Sequence, residues 1–197
     1  REELVRAALG DQDDLIYVTQ TEQLGTGHAV EVCRDAMANR TGDTFVLAGD
    51  GPLIRSETLA ALRTQHRDKQ AAATLATAIV DDPTGYGRII RDSNGSFEAI
   101  VEDKNLEASQ RDVREIYPSY ACFDIPLLFQ TLTTLPRNPI GGEYYLTELP
   151  AMLRNAGQRV EVLPEVPAED VLSINTPSQL AKVDDILRAR TTGRVTT

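Results

Sequence analysis

The sequence predicts an α/β protein with a mixed, mainly parallel sheet, and three observations carry that prediction. Strand-like and helix-like segments alternate through the first 80 residues, as they do where parallel strands are joined by right-handed crossovers. A short apolar run at 44–48 ends in Gly49-Asp50, which puts a carboxylate at the tip of a buried strand, where open α/β sheets bind ligands. Residues 87–92 and 96–102 form two strand-like runs around Asn94-Gly95, a strong hairpin signal that adds antiparallel pairing.

The elements follow in order. An amphipathic helix is expected at 1–9, a strand at 15–19, a helix at 28–39, a strand at 44–48 and a helix at 56–67. A long strand at 72–80 precedes the hairpin. A short helix at 105–111 and a second long strand at 114–123 come after it. Helices at 125–134 and 147–156, strands at 159–163 and 171–174, and a helix at 177–189 complete the chain. Pro150 stands early in its helix, where a missing N–H costs little. The expectation is one domain over 1–190, with 191–197 as a tail or linker.

Composition excludes several classes. The net charge is −10, and Lys69, Lys104 and Lys182 are the only lysines. There is no basic stripe for a duplex or an anionic membrane, so neither nucleic acid nor membrane is an expected partner. No apolar run approaches membrane-spanning length, and the first residues lack the apolar core of a signal peptide. Cys33 and Cys122 lie far apart without metal-ligand spacing, and fit core thiols in a reducing, cytoplasmic setting.

The most informative stretch is Gln20-Thr21-Glu22-Gln23-Leu24-Gly25-Thr26-Gly27-His28-Ala29, between an expected strand and an expected helix. Glycines there let main chain approach a ligand, and N–H groups at a helix start suit a phosphate or a uracil carbonyl. Gln20 and Gln23 each donate and accept, as reading a base edge needs. An ordinary strand-to-helix loop has the same composition. Asp50 alone reads equally as a turn or capping carboxylate, Asn175 as a helix cap before Thr176-Pro177, and Glu102 as a solvated strand charge. One of Tyr144 and Tyr145 is expected in the core, His28 at a helix start without catalytic duty, and His66 on the surface.

Taken together, this glutamine–glycine run, Gly49-Asp50-Gly51-Pro52-Leu53, Asp82-Pro83-Thr84-Gly85-Tyr86-Gly87-Arg88-Ile89, Gly142-Glu143-Tyr144-Tyr145-Leu146-Thr147 and Asn175 resemble the N-acetylglucosamine-1-phosphate uridyltransferases. The resemblance runs from about Leu4 to Leu187, with every motif in the family's order. It implies a Rossmann-like nucleotidyltransferase fold and transfer of a uridylyl group from UTP to N-acetylglucosamine 1-phosphate, assisted by Mg²⁺. By the same resemblance, Asp50 and Asn175 hold the metal and are the catalytic pair. Gln20, Gln23, Gly25 and Thr26 surround uracil. Gly49 belongs to the substrate site, Gly87 offers backbone, Glu102 accepts a sugar hydroxyl, and Tyr86, Tyr145 and Thr147 line the phosphate and the ring.

Two departures shape the expectation. The family carries a Gly-rich loop with an Arg and a Lys that grip the triphosphate, and these 197 residues hold no such pattern. The chain is therefore expected to lack its first βαβ element and, alone, to be a poor catalyst or none; a non-catalytic nucleotide-sugar-binding domain is the alternative. The family also commonly has Ile-Asn-x-Gly before the sugar-facing strand, where this chain has Ile116-Tyr117-Pro118-Ser119. A ring in place of a carboxamide reshapes that wall and raises the alternative of a different sugar 1-phosphate. Neither sequence nor resemblance sets the oligomeric state.

Overall fold

A computed structural model describes residues 2–10, 12–139 and 141–192. Among these described residues eight strands form two four-stranded sheets. The main sheet has the order β1 (Asp43–Leu47), β7 (Tyr120–Asp124), β2 (Ala73–Ala76) and β8 (Val160–Leu163). β2 and β8 are parallel, and β7 runs antiparallel between β1 and β2, so β1, β2 and β8 point the same way. The smaller sheet, β3 (Ala78–Ile79), β6 (Glu115–Tyr117), β4 (Gly87–Arg91) and β5 (Phe97–Val101), is antiparallel throughout. The α/β class and the mixing of parallel and antiparallel strands are as the sequence predicts, but the expectation of one mainly parallel sheet is corrected: among the described residues β2–β8 is the one parallel pairing, and the strands divide between two sheets.

Alternation along the strands divides the core in two. On β7, Ala121 and Phe123 join one cluster, with Leu75 of β2 and Leu128 and Phe129 of α4 (Ile125–Leu132). Tyr120 and Cys122 face the other, with Leu62 of α3 (Ser56–Asp68), Leu163 and Val171. α3 turns Thr58, Leu62 and His66 inward at four-residue spacing, the stripe a helix needs to lie on a sheet. α4 is started by Asp124, whose carboxylate accepts from Leu127 N at 2.9 Å, with Pro126 in the first turn. α5 (Leu149–Asn155) likewise carries Pro150 in its first turn. α6 (Pro177–Thr191) is capped by Thr176.

The two long expected strands are each broken. The run at 72–80 splits at Thr77, giving β2 to one sheet and β3 to the other. The run at 114–123 splits at Pro118-Ser119, giving β6 and β7. Pro118 lacks an N–H, and Ser119 takes a left-handed φ of 64°, so the ladder cannot pass through. Both breaks lie where the chain changes sheet, and the cavity described below opens beside the second.

Other expectations are corrected. Residues 15–19 form no strand; no ladder partner meets them among the described residues, and Ile16 and Val18 are exposed. Residues 171–174 are not a strand either: a 3-10 turn over Ala168–Val171 is followed by irregular chain. α2 is only Thr26–Glu31, continued to Asn39 by hydrogen-bonded turns, and 105–111 resolves into 3-10 turns at Asp103–Asn105 and Ala108–Gln110. α1 (Glu2–Leu9) buries no side chain. His66 is buried, not on the surface, with Nδ1 at 2.9 Å from Thr74 Oγ1. Cys122 is fully buried and Cys33 half-buried, both unpaired. Thr191 belongs to α6, and of the expected tail 193–197 lies outside the described residues. Among the described residues no helix is long and apolar enough to cross a membrane.

Candidate active site

The chain after β1 turns sharply at Gly49-Asp50-Gly51, and a second loop, 170–175, lies against it. Ile174 N donates to Asp50 O at 2.9 Å. The buried Tyr120 hydroxyl lies 3.0 Å from Gly51 O and 3.2 Å from Asp170 O, bridging the loops from beneath. A Cβ on Gly51 would lie 2.5 Å from that hydroxyl, so a side chain there is excluded by close approach. Desolvation raises the Tyr120 phenol to about 12, which keeps it a donor.

Asp170 anchors the pair of loops. Its side chain is fully buried, and Arg55 meets it with Nε at 2.6 Å and a second nitrogen at 3.1 Å. Arg190 of α6 reaches the same carboxylate and donates to Leu53 O at 2.9 Å. Glu169 sits on the outer side of both guanidiniums. A buried charge this well paired fixes geometry, since losing either arginine leaves it only partly compensated.

Above these loops lies a cavity of about 190 Å³ that brings together Asp50, Tyr86, Gly87, Glu102, Thr147 and Asn175. Thr147 donates to Glu102 Oε1 at 2.7 Å, orienting the carboxylate, and Tyr86 donates to Val171 O at 2.8 Å. Arg88, only 3 % exposed, donates to Tyr86 O and, at 2.9 Å, to Asp103 Oδ1, so it braces both sides of the Glu102 wall. Asp50 makes no hydrogen bond or ion pair to any described side chain, and Asn175 gives its amide nitrogen to Ser173 Oγ at 3.1 Å, leaving its carbonyl oxygen uncommitted. Among the described residues no three His, Cys, Asp or Glu side chains converge. These two hard oxygens fit a divalent cation that completes its shell from phosphate and water, as magnesium does.

A second compartment, of about 420 Å³, gathers Gln20, Gln23, Gly25, Thr26, Glu102 and Tyr145. Main chain builds it. Tyr144 N donates to Leu24 O and Gly27 N to Tyr144 O, both at 2.8 Å, and Leu146 N donates to Thr26 Oγ1 at 3.0 Å. Gly25 has φ 106° and ψ 178°, open only to glycine, and a Cβ on it would lie 2.6 Å from Tyr144 O. The Gln20 amide nitrogen is spent internally, 3.2 Å from Gly25 O and 3.0 Å from His28 Nδ1, whereas Gln23 makes no hydrogen bond to a described residue.

Two expected residues sit elsewhere. Gly49 lines neither compartment. Tyr145, expected beside the sugar phosphate, faces the second compartment, where Lys104 donates to its hydroxyl and lies 4.7 Å from the ring centroid. That hydrogen bond holds the Lys104 ammonium above its usual range. Glu102 borders both compartments.

Comparison with known proteins now decides the family. Residues 1–116 match the family described as Nucleotidyl transferase. The chain belongs to the nucleotidyl transferase family. It is 38% identical over 186 residues to the bifunctional protein GlmU of Bacillus licheniformis, covering 94% of this chain and 40% of that protein. It is 40% identical over 188 residues to GlmU of Geobacillus sp. strain WCH70 and 42% over 188 residues to GlmU of Geobacillus thermodenitrificans, each covering 95% of this chain and 40% of the relative. The chain thus spans about two fifths of the length of the curated relatives it matches.

Several residues that build these two compartments are not found by sequence reasoning. Arg88 lay within a recognised motif, but only its burial reveals the bracing role. Asp170, Arg55 and Arg190 carry no local signal, because they meet across 115 and 20 residues of chain. Tyr117 was visible only as a departure, and the structure places it on the wall of the smaller cavity.

Proposed function

We propose that this domain transfers a uridylyl group from UTP to N-acetylglucosamine 1-phosphate, giving UDP-N-acetylglucosamine and pyrophosphate. The observation that carries the reading is Glu102, one carboxylate bordering both a sugar-sized cavity and a larger compartment lined by glutamine amides and main chain. A sugar 1-phosphate and a nucleotide seated on either side of it meet at their phosphates, which is what phosphoryl transfer needs. Membership of the nucleotidyl transferase family and likeness to proteins named bifunctional GlmU support the same chemistry.

In this reading Glu102, oriented by Thr147, accepts from a sugar hydroxyl and sets the ring's position. A phosphate oxygen of the sugar 1-phosphate attacks the α-phosphorus of UTP. The bond from that phosphorus to the bridging oxygen breaks, and pyrophosphate leaves. Gln23, with its amide uncommitted, reads the uracil edge, while Gln20 holds the Gly25 turn. Asp50 and Asn175 would hold Mg²⁺, which when bound neutralises charge building on phosphoryl oxygens.

Calorimetry with UTP and UDP-N-acetylglucosamine, with and without Mg²⁺, together with pyrophosphate release, tests this. Binding that tightens with Mg²⁺ in wild type and loses that dependence in Asp50→Ala is expected. In a longer protein that also supplies the family's Gly-rich loop, turnover should fall by about 10²–10³ on Asp50→Ala, whereas these 197 residues alone are expected to release little or no pyrophosphate. Mg²⁺ dependence retained in Asp50→Ala would end the metal assignment, and absence of binding to either nucleotide would end the reading.

A further inference from the structure

We infer that Tyr120 is a positioning residue for the divalent-cation pair: its hydroxyl ties the loop that bears Asp50 to the loop that bears Asn175 and so holds the two oxygens in one arrangement. The inference rests on the Asp50–Asn175 metal reading above and adds to it a residue that lines neither compartment.

The phenol oxygen lies 3.0 Å from the carbonyl of Gly51, the residue after Asp50, and 3.2 Å from the carbonyl of Asp170, which opens the segment leading to Asn175. One O–H proton is thus shared between the two loops. Ile174 N supplies a second tie by donating to Asp50 O at 2.9 Å. The ring cannot give way, because Tyr120 has no exposed surface and packs with Leu62, Leu163 and Val171. β7 holds it in register with Leu47, and Ala48 N donates to Ser119 O at 3.2 Å. The strand that carries the phenol therefore also carries the base of the Asp50 turn. A Cβ on Gly51 would lie 2.5 Å from the hydroxyl, so main chain is drawn closely onto it. Burial, with the Asp170 and Asp50 charges adding to it, keeps the proton on the phenol at neutral pH. Packing alone would be served by a phenylalanine; the hydroxyl adds a desolvation cost that its two carbonyls offset. Asp50 has no side-chain partner among the described residues, so its place is set by the main chain that Tyr120 holds. Contacts that orient metal ligands are typically worth about 10- to 100-fold in metal affinity.

The test is calorimetry on the full chain with UDP-N-acetylglucosamine, with and without Mg²⁺, and the readout is the ratio of the two affinities. Tyr120→Phe keeps the packed ring and removes only the oxygen. It should lower the Mg²⁺ ratio by about 10-fold, or to one where the wild-type ratio is smaller, and leave the Mg²⁺-free affinity unchanged. Gly51→Ala, whose Cβ would displace the hydroxyl, should lower the ratio in the same way and serves where Tyr120→Phe does not fold. Cys122→Ala removes a buried sulfur from the same cluster and is the packing control, with the ratio expected to hold. A ratio retained in Tyr120→Phe but lost in Asp50→Ala would overturn the inference alone, as would an equal fall in Cys122→Ala or a fall in Mg²⁺-free affinity that accounts for the whole effect. Wild type whose binding does not respond to Mg²⁺ would overturn the inference and the metal reading beneath it together.

Discussion

On one side of Glu102 the wall is made of side chains held by buried charge; on the other it is two main-chain segments laced together. The smaller compartment depends on Asp170 between Arg55 and Arg190, and on Arg88 between Tyr86 O and Asp103. The larger compartment depends on residues 24–27 bonded to 144–146 through Leu24 O, Gly27 N and Thr26 Oγ1. The contrast teaches where each compartment tolerates change. The first is sensitive to removing a side chain and the second to adding one.

Adding a side chain at Gly25 should therefore have the largest effect. Gly25→Val forces a glycine-only conformation on a branched residue, costing on the order of 1–3 kcal/mol, before its Cβ meets Tyr144 O. The loss should appear as a lowered thermal midpoint together with weakened UTP binding, because the clash is with the Tyr144 main chain and Glu143 Cβ and not with an empty pocket. Wild-type stability with only UTP binding lost would show that the glycine serves the ligand and not the lacing.

Removing a side chain from the other wall comes next. Asp103→Ala leaves the buried Arg88 guanidinium with Tyr86 O as its one acceptor among the described residues, and should cost about 2 kcal/mol in urea denaturation. Sugar 1-phosphate affinity should fall with it and UTP affinity should hold. A change confined to UTP would reverse the assignment of the two compartments. Gln23→Ala should have a smaller effect, about 3-fold in UTP affinity, since main chain supplies most of that wall.

His66 touches neither compartment and supplies the control. Burial pushes its imidazole below the ordinary range, the nearby Asp43 opposing. The unfolded chain takes up a proton near pH 6.5 while the folded chain does not, so this contribution is complete above that pH and is lost as pH falls through the depressed folded value. The urea midpoint should fall between pH 7.5 and 5.5, and His66→Gln should flatten that slope; an unchanged slope would assign it to other groups.

The sequence made legible what is local. Asp50, Tyr86, Gly87 and Glu102 lie at or beside strand ends marked by turn residues, and the structure gathers them around one cavity. The runs at 72–80 and 114–123 were read as single strands because their apolar character is continuous on both sides of the break, and alternation says nothing about a change of sheet. Pro118 was the available sign of one break, whereas Thr77 offered none. The strand expected at 15–19 had the right composition but meets no partner among the described residues, and a strand is a property of two segments. The Asp170 cluster stayed hidden for the same reason on a larger scale.

Arg190 lies in the last helical turn, far along the chain from the loops it supports, yet it supplies one of two guanidiniums to a carboxylate with no exposed surface. The sheets end at Leu163, so a boundary drawn by strands would place everything after it outside the folding unit. Charge balance draws the line elsewhere. A chain cut before Arg190 would keep every strand and still have to hold Asp170 against one arginine, or open the loops that present Asp50 and Asn175 to let water in. Charge thus ties α6 to the cavity loops, and limited proteolysis that trims α6 should disarm the cavity without unravelling a strand.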